Sequence, residues 1–190
     1  MLGFFRADED AFVKELMSSN INIDKLKKYI ANGVNINDVD EKGRNYLFFF
    51  AAKKNFNAIK VLINLGIDMY KEDKLGKTVL SDACEKYDFM MIRFLLDNGF
   101  DGNRKNSAGR TILQDCVLLG NDKVFQILLN YNLDFDIKDS DGRNVLFDAI
   151  ENGNLETLKK VIDNVKDINA VDKNGRTALF EAVLKDDLRL

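Results

Sequence analysis

Four acidic side chains, Asp82, Asp115, Asp148 and Glu181, recur thirty-three residues apart, each five residues after a cation: Lys77, Arg110, Arg143 or Arg176. Arg44 extends the cation column by one member, with Phe49 in the place of its acid. A row of carboxylates could supply a paired acid and base for hydrolysis, but only where a pocket desolvates one of them and raises its pKa. Nothing in the pattern encloses such a pocket. Gly76-Lys77-Thr78 ends like a phosphate loop, yet Lys71 stands where the first glycine is required and the chain offers no parallel sheet. Asp139-Ser140-Asp141-Gly142 has the form of a calcium loop with Asp148 at the closing position, but Ile137 occupies the first ligand position. Histidine is absent, which excludes Ser-His-Asp and Cys-His nucleophilic sites and histidine-containing zinc sites. It also removes the usual acid–base group near neutral pH. The expectation is a chain with no catalytic residues, no cofactor and no metal.

The elements that carry these columns follow the same period. Gly43, Gly76, Gly109, Gly142 and Gly175 are evenly spaced, as are Leu47, Leu80, Leu113, Leu146 and Leu179. Such self-similarity indicates a stacked array rather than a globule with one core. Two residues after each glycine comes Asn45, Thr78, Thr111, Asn144 or Thr177, all types whose side-chain oxygen caps a helix. The stretch Asp139 to Asn169 holds one complete unit: a glycine turn, a short apolar helix, a Gly-Asn break and a second amphipathic helix. Full units are expected at 40–70, 73–103, 106–136 and 139–169, with a capping unit at 8–37 and an incomplete one at 172–190. In the second unit Leu47, Phe50 and Ala51 face inward, then Ile59, Leu62 and Ile63 after a break at Asn55. In the first, Asp10 is expected to cap a helix bearing Phe12, Val13, Leu16 and Met17, and Asn22 or Asp24 a helix bearing Ile23, Leu26, Tyr29 and Ile30. Leu188 and Leu190 match only the opening of a second helix, so the chain reads as part of a longer protein or as an end that a partner covers. Helices this short, below roughly 12–15 residues, are marginal alone and draw their stability from neighbours.

Composition narrows the class of activity. The net charge of −3 on 190 residues, with both signs interspersed, argues against a nucleic-acid or anionic-membrane surface. No apolar run is long enough to span a bilayer. The opening MLGFFRADED is a poor secretory signal. The two cysteines, Cys84 and Cys116, fall at apolar positions and read as buried free thiols of a reducing compartment, hence a cytoplasmic protein.

The period, the Gly followed by Asn/Thr-x-Leu, the small-residue helix, the Gly/Asn break and the closing Gly-x-Asp together resemble the ankyrin repeat. The resemblance implies an all-α ankyrin-repeat solenoid of stacked helix-turn-helix units, with short β-turn or hairpin fingers beside a concave groove. The family's Thr-Pro-Leu-His reads Asn-Tyr-Leu-Phe at 45–48, Thr-Val-Leu-Ser at 78–81, Thr-Ile-Leu-Gln at 111–114, Asn-Val-Leu-Phe at 144–147 and Thr-Ala-Leu-Phe at 177–180. Proline and the Thr–His hydrogen bond are therefore missing, with Phe48, Phe147 and Phe180 supplying apolar packing instead. Phe50 sits where the family has a small residue, so the second unit is expected to splay or repack. At the second-helix stop, Gly66 and Gly99 give way to Asn132 and Val165, and Asn164 is expected to take the left-handed position.

The resemblance further implies non-catalytic binding of another protein, as an adaptor or scaffold, through the fingers and the groove. No nucleic acid, membrane or small-molecule substrate is implied. The candidate contacts are the cations Arg44, Lys77, Arg110, Arg143 and Arg176, the acids Asp82, Asp115, Asp148 and Glu181, and the apolar Phe49, Leu118 and Leu119. Leu118 and Leu119 stand where sister units carry Glu85-Lys86 and Glu151-Asn152, and Leu184 holds a comparable place. Two readings of the charged columns stay open: they pair within the chain, or they form a polar stripe that orients a partner. Leu118 and Leu119 likewise either face the groove or pack on adjacent units. The alternative functions are a targeting domain of a larger enzyme or effector, or an inhibitor or antitoxin that blocks an enzyme.

Overall fold

The computed structural model describes residues 7–187. Its helices are α1 (Ala7–Leu16), α2 (Ile23–Ala31), α3 (Tyr46–Ala52), α4 (Phe56–Asn64), α5 (Val79–Glu85), α6 (Phe89–Asp97), α7 (Ile112–Leu118), α8 (Asp122–Leu128), α9 (Val145–Asn152), α10 (Leu155–Ile162) and α11 (Ala178–Asp187). Among the described residues, β-structure is confined to one isolated antiparallel bridge, Val171 with Thr177. The chain divides into two compact units, Met1–Ala83 and Cys84–Leu190, with the division falling inside α5.

All five expected caps act at the start of a first helix. The side chains of Asn45 and Asn144 accept from the amides of Leu47 and Leu146. Thr111 and Gln114 form a reciprocal capping box, each side chain accepting the other's backbone N–H. Thr78 and Ser81 exchange the same pair of bonds, at 2.8 and 3.3 Å. Thr177 accepts from Phe180 N at 3.2 Å. A second capping column opens the second helices at Asn22, Asn55, Asp88, Asn121 and Asn154. Several of these amides also donate to the preceding helix pair: Asn55 to Leu16 O at 3.5 Å, Asn121 to Cys84 O at 3.1 Å, and Asn154 to Asp122 at 2.8 Å. One side chain thus starts its own helix and ties it to a neighbour.

In the first unit α1 packs on α2 and α3 on α4. Phe12, Leu16, Leu26, Leu47, Phe50, Ile59 and Leu62 are fully buried there. The Phe50 ring meets Phe49 edge-on at a centroid distance of 5.0 Å. Two expectations for the first pair are corrected. Helix α1 is already formed at Ala7, so Asp10 lies inside it and is not its cap. Of the two cap candidates offered for α2, Asn22 is the one that acts. Met17 and Ile23 are exposed, since Met17 falls one residue past the end of α1 and Ile23 is the first residue of α2, on its outer side.

In the second unit α7 lies against α9 and α9 against α11, while α8 and α10 back onto their own first helices. Leu113 and Leu146 are buried, as are Leu47 and Leu80 of the first unit, each worth about 1.5–3 kcal/mol of transfer free energy. Leu179, the last of the column, is 72% exposed, and no described helix follows α11 to cover it. Leu188 and Leu190 lie outside the described residues.

The turn glycines all have φ between 74° and 81°. At Gly142 a Cβ would stand 3.0 Å from Lys173 N, so both the backbone conformation and the neighbouring turn require glycine. Left-handed residues also end the first helices, at Lys54, Tyr87, Gly120 and Gly153. Asn164 is not among the left-handed residues, which corrects the expectation for the end of α10. There Asn164 and Val165 both donate to Val161 O, and the Asn164 amide turns back onto Lys160 O at 2.7 Å. The helix end is closed by a side chain instead of a left-handed turn.

Candidate binding face

The fingers are built from a repeated Asx turn. Asp40, Asp73, Asn106, Asp139 and Asp172 each accept, through Oδ1, the backbone N–H of the cation four residues later, at 2.9 to 3.0 Å. Each also donates its own N–H to that cation's carbonyl. The resemblance of Asp139 to a calcium ligand has this cause: Oδ1 holds Asp141 N and Arg143 N, and Oδ2 lies 3.4 Å from Arg110. Consecutive fingers are linked by backbone bonds, Lys74 N to Lys42 O at 2.9 Å and Lys173 N to Asp141 O at 2.8 Å.

The arginines of the fingers then meet groups of their own chain, in more than one way. Arg44 forks onto Asp40 at 2.6 and 2.9 Å. Its pKa is raised by that bond, with Asp82 contributing from further away. Lys77 is half-buried. Arg143 lies over the Phe147 ring at 5.2 Å and reaches Glu151 at 3.5 Å. Arg176 lies over Phe180 at 5.6 Å and reaches Glu181 at 3.5 Å. Phe147 is buried beneath its arginine, but Phe180 is half exposed and so packs less than expected.

Arg110 is the centre of the second unit's charge. Its Nε donates to Asp115 at 2.6 Å and its Nη2 to Asp148 at 2.9 Å, with Asp139 at 3.4 Å from Nη1. Asp115 also accepts from the Asn106 amide at 3.1 Å. Asp148 is only 2% exposed. Burial pushes its carboxyl up to about 7 against the pull of Arg110. Each acid column member does lie in the first turn of its helix, where the macrodipole favours negative charge. In the second unit the cations and acids singled out in the sequence are therefore brought together mainly with one another.

The apolar candidates separate from this network. Leu119 is 70% exposed at the C-terminal end of α7, and Leu184 of α11 is 40% exposed. Leu118 is half-buried, and its carbonyl lies 3.5 Å from the Asn152 amide of the next repeat. In the first unit Phe49 is half-buried between Phe50 and Lys53, whose ammonium sits 5.2 Å from its ring. Position 119 belongs to a column otherwise filled by Lys53, Lys86, Asn152 and Lys185. Lys185 shows what that position does elsewhere: its ammonium holds the carbonyls of Ile150 and Glu151 at the end of α9. Cys84 and Cys116 are buried free thiols, and burial raises both pKa values, so neither is poised as a thiolate.

Sequence reasoning passed over the second capping column, whose members recur at the same period, and the depth of Asp148. Residue type gives no signal for that depth. Asp115 and Glu181 stand in the same column, yet only Asp148 is on a helix flanked on both sides by α7 and α11.

The profile of the family "Ankyrin repeats (3 copies)" matches residues 13–106, 52–139 and 113–189. A crystal structure described as that of EF0377, an ankyrin repeat protein, superimposes with a TM-score of 0.66 at 21% sequence identity, over 96% of this chain and 94% of that one. No curated protein sequence matches the chain. Ankyrin repeats are generally protein-binding modules and typically not catalytic. With the family profile matching residues 13–189 and the helix pairs and finger turns of the described residues following the same period, the chain is an all-α repeat protein that belongs to the ankyrin repeat family.

Proposed function

We propose that this chain is a non-catalytic, cytoplasmic adaptor whose second unit binds another protein through the ends of its first helices. The observation that carries the reading is Leu119: a large apolar side chain, 70% exposed, in a column where the other repeats carry lysine or asparagine. Exposed apolar side chains rimmed by charge suit protein contact. The finger cations contribute chiefly by holding the fingers in place. Arg110, Arg143 and Arg176 are already bonded or stacked within the second unit, and the net charge of −3 supplies no basic face for nucleic acid or anionic lipid. The buried free thiols suit a reducing compartment.

Leu119→Ser tests this in an affinity capture from the source cell read by mass spectrometry. The expected result is loss of most of the specifically retained protein with an unchanged melting temperature, since an exposed leucine contributes little to the core. Capture unaffected by Leu119→Ser would remove Leu119 from the binding face, and a clear fall in melting temperature would assign it to packing.

A further inference from the structure

We propose that the Arg110 cluster links folding to proton uptake: with three carboxylates around one guanidinium, Asp148 is the one held protonated in the folded second unit, and its ionisation lowers the stability of the fold. This is independent of which partner the chain binds.

The geometry sets one guanidinium against three carboxylates, Asp115 at 2.6 Å, Asp148 at 2.9 Å and Asp139 at 3.4 Å. One positive charge cannot balance three negative ones, and Asp148 is the member least able to call on water. It receives Arg110 on Oδ1 only, and Oδ2 is buried with no hydrogen-bond partner. Four residues earlier, at the N-cap of the same helix, the Nδ2 of Asn144 is buried and unpartnered as well. A carboxylate left half-satisfied in such a place favours its protonated form.

The groups around Asp148 can be followed element by element. The fingers present Arg110, Asp139 and Arg143, the two arginines favouring ionisation and Asp139 opposing it. Helix α7 presents Asp115, already bonded to Arg110. On α11, Glu181 is engaged with Arg176, and Lys185 with the carbonyls of Ile150 and Glu151. On α10, Lys160 bonds Glu156 and Gln126, and Lys159 is exposed. Burial outweighs the arginines, and the carboxyl titrates near 7 instead of 3.8.

The sign follows from proton uptake. Below the unfolded value of 3.8 both states hold the proton and no pH dependence arises from this group. Between there and about 7 only the folded state holds it, so stability falls as pH rises; above that both states are ionised and the loss is complete. Because the chain has no histidine, few other groups titrate between about pH 5 and pH 7, and the window is nearly silent except for Asp148.

Urea unfolding of wild type and Asp148→Asn across this window tests the proton linkage. The folding equilibrium constant of wild type is expected to fall about tenfold per pH unit between about pH 5 and pH 7 and then level off. Asp148→Asn is expected to lose that slope and to be no less stable than wild type at pH 8. A flat wild-type profile, or a slope that survives in Asp148→Asn, overturns the proposal. If the variant does not fold, carbon-13 NMR of the aspartate carboxyls in wild type decides instead: one carboxyl titrating near pH 7 is expected, and none above about pH 5 is the contrary result.

Discussion

Arg110→Ala is expected to destabilise the protein by about 3–5 kcal/mol at pH 8, the usual cost of removing one partner from a buried ion pair. The loss arises less from the missing attraction than from what remains: Asp115, Asp139 and Asp148 around an emptied place, with Asp148 out of reach of water. The chain has one escape, protonation of Asp148, and that escape is easier in acid. The destabilisation is therefore expected to be smaller at pH 5.5 than at pH 8. Arg176→Ala is the contrast. Its guanidinium is about half exposed and 3.5 Å from Glu181, so its removal is expected to cost no more than about 1 kcal/mol at either pH. Equal losses for the two variants in urea titrations would mean that burial does not distinguish the two arginines as described.

Phe50→Ala is the second large effect, with an expected loss of about 3–5 kcal/mol. The ring is fully buried in the first unit and packs edge-on against Phe49. A repeat that begins Tyr-Leu-Phe-Phe-Phe has no spare side chain to swing into the void, because Tyr46, Leu47 and Phe48 are themselves buried. In a fold where each repeat is held by its neighbours, the loss is expected locally. Hydrogen exchange should show the amides of α3 and α4 losing protection first. Protection unchanged in α3 and α4 would contradict the placement of Phe50 in that core.

How much of this was legible beforehand can be judged residue by residue. Gly43 through Gly175, Asn45 through Thr177 and Leu47 through Leu146 announced the turns, the caps and the inner column, because a period repeated five times removes the ambiguity of any single short helix. Leu179 carries the same letter in the same column and is exposed, since no helix among the described residues follows α11 to cover it. Asn164 failed for a local reason: a side-chain amide can close a helix end without a left-handed residue. The expected pairing of the two charged columns holds in two repeats, Arg110 with Asp115 and Arg176 with Glu181, but the spacing does not give the contacts beyond it. Arg110 crosses to the following repeat to reach Asp148, Arg143 turns to Phe147 and Glu151, and Arg44 folds back on Asp40. Arg143 and Arg176 share a ring four residues on, whereas Arg44 and Arg110 each find a further acid that the column spacing does not give.

In the proposed function Leu119 makes the partner contact and the finger cations are kept for internal bonding. The salt dependence of binding measures this most directly, by calorimetric titration of the captured partner from low to near-molar salt. Affinity is expected to change by no more than about threefold, since exposed charges would be screened over a Debye length of about 8 Å at physiological salt while a leucine contact would not. A fall of about a hundredfold would show instead that free charges on the fingers carry the binding.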